Sequence, residues 1–255
     1  MSRKPPSPPR CVALVGPYLS GKTSLLESIL SLTGATSRKG SVRDGNTVGD
    51  ATPEARARQM STELNVATTE YLDETWTILD CPGNIELIQE SYNALLAADI
   101  AVVVCEPEPQ KVLTVAPLLR FLDDNGVPHI VFINKMDLAE TSVRATLEAL
   151  QALSPRPLVL REIPIREDGQ QITGFVDLVS ERAFRWTPGQ RSELISVPEA
   201  IAEREQEARR EMLEAIADFD DDLLEKLLED VVPSTDEIYA GLSRDLAQDL
   251  IVPVF

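Results

Sequence analysis

Gly16-Pro17-Tyr18-Leu19-Ser20-Gly21-Lys22-Thr23 is the stretch from which the fold can be read. It fits the spacing GxxxxGK[ST], and it lies between the apolar run CVALV (11–15) and the helix-period segment TSLLESIL (23–30). Glycines in that position let the chain curl, so that backbone N–H groups and the first turn of a helix face phosphate oxygens. Lys22 then reaches the outer phosphates of a nucleotide, and the Thr23 hydroxyl faces Mg²⁺. A buried strand, a phosphate loop and a helix form the first unit of a βα alternation.

The alternation continues along the chain. TWTILD (75–80) precedes ELIQESYNALLAA, DIAVVVC (99–105) precedes VLTVAPLLRFLDD, and PHIVFINK (128–135) precedes SVRATLEALQAL. Strands this uniformly apolar are covered on both faces, as in a parallel sheet flanked by helices. TELNVATTEYLD (62–73) alternates in places and predicts an antiparallel edge hairpin with 75–80. The fold class is α/β, a mostly parallel sheet of the P-loop NTPase type. Right-handed crossovers place its ligand at the carboxyl ends of the strands.

Two further motifs lie at such strand ends. Asp80-Cys81-Pro82-Gly83 fits DxxG, in which the carboxylate addresses Mg²⁺ through water and the glycine N–H faces the γ-phosphate. Asn134-Lys135-Met136-Asp137 fits NKxD. An acid accepting from guanine N1–H and the exocyclic amine separates guanine from adenine, which offers neither donor, so Asp137 is the specificity residue. Asn134 holds the loop and the base edge, and the aliphatic stem of Lys135 covers the base face.

Residues 155–255 read differently. PLVLREIPI, FVDLV and AFRW are strand-like, and from Pro198 a long helical pattern carries Ala208, Met212, Ile216, Phe219, Leu223 and Leu227 on one apolar stripe. Residues 199–230 hold 13 acids and 4 bases, which makes either a solvated helix face or a docking face for a basic partner. Ser234 with Glu237 has capping-box spacing and opens another helix, and the chain ends on the strand-like IVPVF.

Composition closes off other chemistry. With 24 Lys+Arg against 42 Asp+Glu, the net charge of −18 argues against charge-driven binding to nucleic acid and against sequence-specific DNA binding. The single histidine, His129, excludes multi-His metal sites, and the cysteines Cys11, Cys81 and Cys105 form no CxxC pair and suit a reducing compartment. No apolar run approaches the roughly 18 residues of a membrane helix. Residues 1–10, with four prolines, read as a disordered leader of a cytoplasmic protein.

Three motifs in this order, each after an apolar strand, make the chain resemble a translational GTPase, most closely the N-terminal G domain of elongation factor G and its paralogues. The resemblance covers residues 11–255. REIPI, ITGFVDLV, AFRW and the acidic helical block resemble the G′ subdomain inserted in elongation factor G. Release factor three and the tetracycline-resistance ribosomal protection proteins share the same G domain. The resemblance implies a G domain over 11–157, an inserted α+β G′-like subdomain over 158–250, and a returning G-domain strand beginning at 251–255.

It further implies GTP and GDP as ligands, with Mg²⁺. Gly16, Ser20, Gly21, Lys22, Thr23, Ser24, Asp80, Gly83, Asn134, Lys135 and Asp137 would contact nucleotide. Thr23, Ser61 and Asp80 would face the metal, and Lys22, Gly83 and Asn84 would serve hydrolysis. The implied partner of this expected monomer is the ribosome, including a basic stalk-protein domain on the acidic 199–230 helix.

Three positions depart from the family pattern. Counting from Asp50 through switch I places Ser61 where the family has a Mg²⁺-binding threonine, which keeps the hydroxyl. Asn84 stands where a histidine orients the attacking water, and Leu19 replaces an aspartate of the phosphate loop. Loss of one preorganised polar group near a transition state costs about 10²- to 10³-fold in rate. The alternative is therefore a catalytically weak paralogue, a nucleotide-dependent module that binds the ribosome or another partner. An ATP-using protein is disfavoured, because NKMD has no role there. The family continues beyond the strand matching IVPVF with a guanine-contacting Ser-Ala loop, a helix and four more domains, so the sequence predicts a fragment that binds guanine nucleotide weakly.

Overall fold

The computed structural model describes residues 10–139, 141–167, 171–187 and 190–255. The expected leader falls outside the described residues except for Arg10, which opens the first strand in register with Trp76. The chain divides into two compact units, one comprising residues up to Glu106 with Lys111–Lys135, the other Pro107–Gln110 with Met136–Phe255. No helix among the described residues is long and apolar enough to cross a membrane.

The first unit alternates as the sequence predicts: β1 (Arg10–Val15), α1 (Lys22–Leu32), α2 (Pro53–Arg58), β2 (Asn65–Tyr71), β3 (Glu74–Asp80), α3 (Ile88–Leu95), β4 (Ile100–Cys105), α4 (Pro109–Val112, of which Lys111 and Val112 belong to this unit), α5 (Ala116–Asn125) and β5 (His129–Ile133). Its strands lie in the order β2-β3-β1-β4-β5. β1 runs parallel to β3 and β4, and β4 parallel to β5. Among these described strands β2 alone is antiparallel, paired with β3 through the Leu72-Asp73 turn as the edge hairpin. Successive strand residues face opposite sides of a sheet, and Ala13, Leu14 and Val15 are all at most 1% exposed, so β1 is covered on both faces. Leu26 and Leu30 of α1 pack on Leu14, Ala67 and Ile78. Tyr92 of α3 stacks on Phe121 of α5 with ring centroids 4.0 Å apart.

The second unit adds α6 (Val143–Gln151), β6 (Leu158–Leu160), β7 (Glu162–Glu167), β8 (Gln171–Asp177), β9 (Arg182–Arg185), β10 (Glu193–Ile195), α7 (Glu199–Ala217), α8 (Asp221–Leu228), α9 (Thr235–Ala247) and β11 (Val252–Val254). The run PLVLREIPI is two strands. β6 pairs in parallel with β11, whereas β7 begins a separate antiparallel sheet of order β10-β9-β8-β7. The inner side of that sheet, Ile163, Ile165, Val176 and Ala183, shares a core with Met212 and Ile216 of α7 and Ile238 of α9.

The continuous helix expected over 199–230 is instead two helices. α7 stops at Ala217, and Asp220 starts α8 by accepting the Leu223 N–H at 3.1 Å. Aspartate competes well for such a cap, and Asp221 and Asp222 in the first turn suit the helix dipole. Phe219, assigned to the apolar stripe, lies in the break and is 39% exposed, while Met212, Ile216 and Leu223 are buried. The capping box of Ser234 and Glu237 forms at the start of α9. Ile216→Ala, which empties the centre of this core, is expected to lower unfolding free energy by about 2–5 kcal/mol in a urea titration.

Candidate functional site

Each strand of the first unit that bears a sequence motif delivers it at its carboxyl end. β1 runs into Gly16, whose φ of 145° and close approach to the Val104 carbonyl leave no place for a Cβ. Gly21, at φ 96°, is the N-cap of α1 and offers no side-chain acceptor to the first turn. A Cβ on Gly21 would also strike the Asn134 carboxamide. The N–H groups that start α1 are thus left without a side-chain cap in a loop shaped for an anion. Leu19 takes φ 66°, a left-handed conformation uncommon for leucine.

The Lys22 ammonium lies inside this loop, donating to the Gly16 and Pro17 carbonyls at 3.0 Å each. Lys22 is 6% exposed, and burial lowers its pKa to about 8 although the nearby Asp80 charge pulls upward. Thr23 donates its hydroxyl to Asp80 Oδ2 at 2.7 Å, and the Ser61 hydroxyl lies 3.3 Å from that of Thr23. Asp80 is fully buried, and its second oxygen has no protein partner among the described residues. Burial pushes its carboxyl up to about 6, against the Thr23 hydrogen bond and the Lys22 charge.

These residues fit Mg²⁺. The donors are two hydroxyls and a carboxylate, all hard oxygens, and the buried Asp80 oxygen lacks the partner that a cation or its water would supply. Asp50, buried at 6% exposure, likewise has one oxygen without a protein partner among the described residues, while the other accepts from Asn65.

At the end of β3 the backbone of Gly83 passes so close to the Lys22 ammonium that a Cβ would collide with it. Asn84 follows, and its side-chain oxygen accepts the Glu86 N–H at 3.1 Å, capping a 3₁₀ turn over Ile85–Leu87. Its NH₂ remains a donor, and the oxygen keeps a second lone pair. Asn84, Gly83, Gly16 and Pro17 line a cleft of about 340 Å³ whose far wall is Leu113, Thr114, Pro117 and Leu118. Between Asp80 and Pro82, the thiol of Cys81 is pushed up to about 12 by burial and then by the Asp80 charge, so it stays neutral.

At the end of β5, Asn134 extends the ladder by donating its N–H to the Cys105 carbonyl at 2.8 Å. Its side chain donates to the Ser20 carbonyl at 2.8 Å, which ties this strand end to the phosphate loop. Lys135 is left-handed, φ 58°, and its ammonium reaches Glu106 at 2.6 Å. Burial alone would raise the Glu106 carboxyl, but hydrogen bonds from Lys111 and Lys135 outweigh it and hold the carboxyl below its ordinary value.

Gly16, Ser20, Gly21, Lys22, Thr23, Ser61, Asp80, Gly83 and Asn134 therefore come together in the first unit, with Ser24 exposed on the first turn of α1. Asp137 lies in the second unit, in a 3₁₀ turn over Met136–Leu138 two residues beyond Lys135. Sequence reading passed over Glu27 and Glu106 as parts of this region, and used Asp50 only as the start of the count through switch I. Glu27 had a signal, a lone acid among the apolar residues of SLLESIL, and Glu106 follows an apolar strand as Asp80 does.

The elongation factor Tu GTP binding domain family matches residues 7–234. An elongation factor G-like protein of Synechocystis sp. is 52% identical over 245 residues, which are 96% of this chain and 36% of that protein. Elongation factor G 2 of Streptomyces coelicolor is 36% identical over 203 residues, 77% of this chain and 29% of the relative. A crystal structure of a protein from Thermus thermophilus superposes with a TM-score of 0.88 at 33% identity, covering 96% of this chain and 36% of the other. The chain thus spans about a third of the length of these proteins.

The buried charges predict a pH dependence without nucleotide. Between pH 3.8 and about 6 the fold keeps an Asp80 proton that the unfolded chain releases, so this contribution to stability falls as pH rises through that window. Between about 8 and 10.5 the unfolded chain keeps a Lys22 proton that the fold releases, so stability rises with pH there. Asp80→Asn is expected to raise unfolding free energy at pH 7 by about 1–3 kcal/mol in denaturant titrations and to flatten the acid window.

Proposed function

We propose that this chain, which belongs to the elongation factor Tu GTP-binding domain family, is the nucleotide-operated switch of an elongation factor G-type protein that hydrolyses GTP on the ribosome. The observation that carries this reading is the convergence of Lys22, Thr23, Ser61 and the half-satisfied Asp80 carboxylate beneath the uncapped start of α1. In it, the Lys22 ammonium and the first N–H groups of α1 hold the β- and γ-phosphates. Thr23, Ser61 and Asp80 would hold Mg²⁺. The metal, when bound, supplies positive charge that offsets the charge building on the phosphate oxygens.

Gly83 presents its N–H to the γ-phosphate, and Asn84 orients water for in-line attack. Water adds to the γ-phosphorus, the bond to the bridging oxygen of GDP breaks, and the water proton leaves with inorganic phosphate. Asn84 hydrogen-bonds the water but carries no proton. At the base, Asp137 accepts from guanine N1–H and the exocyclic amine, Asn134 holds the loop, and the Glu106 ion pair keeps the Lys135 stem extended over the ring. The γ-phosphate orders switch I, about residues 40–62, and switch II, about 80–92, and hydrolysis releases both.

The acidic surface of α7 and α8 suits a basic domain of a ribosomal stalk protein, and the step served is translocation or ribosome recycling. In this reading the protein acts as a cytoplasmic monomer. A second reading, a catalytically weak paralogue that binds nucleotide and a partner, is favoured by one specific observation: one lone pair of the Asn84 side-chain oxygen is taken by the Glu86 N–H, which holds the side chain as a turn cap.

Nucleotide competition tests the ligand. Unlabelled GTP and GDP are expected to displace a fluorescent guanine nucleotide while ATP does not, and Asp137→Ala is expected to weaken binding by about 10- to 100-fold. Turnover with and without ribosomes separates the two readings. Stimulated hydrolysis, raised further by Asn84→His, supports the enzyme; tight binding with no turnover supports the module.

A further inference from the structure

Switch I contacts two carboxylates that the proposed chemistry leaves without a task. Glu27, on α1 one turn beyond Thr23, is 1% exposed. Both of its oxygens accept main-chain N–H groups of the same loop, Gly40 at 2.8 Å and Val48 at 2.5 Å. One side chain thereby closes the nine residues from Gly40 to Val48, and Asn46 tightens the closure by accepting the Ser41 N–H at 2.7 Å. A Cβ on Gly40 would land against Glu27 Oε2 and the Asn46 carbonyl, so only glycine lets the backbone approach this closely. At the other end of the segment, Leu64 donates its N–H to Glu90 Oε2 at 3.0 Å, and Glu90 lies on α3, which continues switch II.

We propose that Glu27 and Glu90 are positioning residues that clamp switch I at its two ends, Glu27 to the phosphate-loop helix and Glu90 to switch II. The two clamps differ in what they are built on. α1 is fastened in the sheet core by Leu26 and Leu30, both at most 2% exposed, so the Glu27 clamp is fixed. The Glu90 clamp travels with α3. Residues 49–63 span the two, carrying α2 and bringing Ser61 to the Thr23 hydroxyl. A displacement of switch II pulls on Leu64 and withdraws Ser61, while residues 40–48 stay against α1.

The chemistry favours this over incidental burial. A carboxylate removed from water is costly unless its lone pairs are filled, and an apolar residue would pack in the place of Glu27 without that cost. The partners of Glu27 are backbone amides, which no substitution in the loop short of proline removes. The same geometry therefore survives changes in loop side chains other than at Gly40, where a Cβ has no room, as a clamp requires.

The coupling to nucleotide rests on the function proposed above, whereas the clamps can be read without it. The experiment is hydrogen–deuterium exchange on this chain, resolved at Gly40, Val48 and Leu64, without nucleotide and with GDP or a non-hydrolysable GTP analogue. Glu27→Ala is expected to speed exchange at Gly40 and Val48 by about tenfold or more and to spare Leu64, and Glu90→Ala to do the reverse. Both variants are expected to lower the preference for the GTP analogue over GDP. If circular dichroism shows that Glu27→Ala does not fold, Gly40→Ala is measured instead, since it displaces the loop from the same carboxylate. Unchanged exchange at the predicted amides, or equal loss at all three in either variant, overturns the proposal. Wild-type protection of these amides with loss in the variants, in a chain that binds no guanine nucleotide, overturns the function and leaves the clamps standing.

Discussion

An ammonium and a carboxylate, Lys22 and Asp80, are held out of water at the carboxyl ends of adjacent strands, and the architecture around them serves that arrangement. β1 and β3 must be parallel and in register for Gly16 and Asp80 to emerge side by side, and their pairing of Leu14 with Asp80 provides this. The backbone must pass tightly around this arrangement: a side chain at Gly83 would strike the ammonium, and one at Gly16 the Val104 carbonyl. Neither charge is fully compensated by protein. Lys22 is pushed down and Asp80 up, chiefly by burial, so the fold carries a cost of dehydration that, in the function proposed, a phosphate and a cation would relieve. Ligand affinity and intrinsic stability oppose each other at the same two side chains.

The surrounding polar contacts extend that preorganisation. Asn134 links the end of β5 to the phosphate loop through the Ser20 carbonyl, and Glu106, held ionised by two lysines, fixes Lys135. Carboxylates recur as the means of holding backbone in place. Glu27 takes two loop amides, Glu90 takes one, and Asp220 and Glu237 shape helix starts in the second unit. The acidity of this chain is therefore divided between solvated faces and carboxylates that organise the main chain. Net charge alone does not distinguish the two uses.

Where sequence reading and structure part, the cause is a local interaction stronger than the pattern. The apolar spacing from Ala208 to Leu227 runs in phase across two helices, so periodicity suggested one rod; Asp220 interrupts it because a side-chain acceptor at a helix start outweighs continued propensity. Arg161 divides PLVLREIPI between two sheets, a change of partner that no residue in the run announces. Asn84 was legible as a departure from a family pattern, but not as a cap on the 3₁₀ turn that follows it.

Sequence by itself determined the strand-loop-helix order, the place of the glycine-rich loop, the antiparallel edge hairpin and the residues at each strand end. These are properties of short contiguous segments, set by side-chain period, glycine placement and cap chemistry, and they need no knowledge of distant neighbours. Only the tertiary structure decided that Thr23, Ser61 and Asp80 meet, that one Asp80 oxygen is left without a partner among the described residues, and that Glu27 faces the amides of Gly40 and Val48. Such facts depend on which backbone groups a fold brings within hydrogen-bond reach and which it cuts off from water, and a backbone amide carries no mark in the sequence.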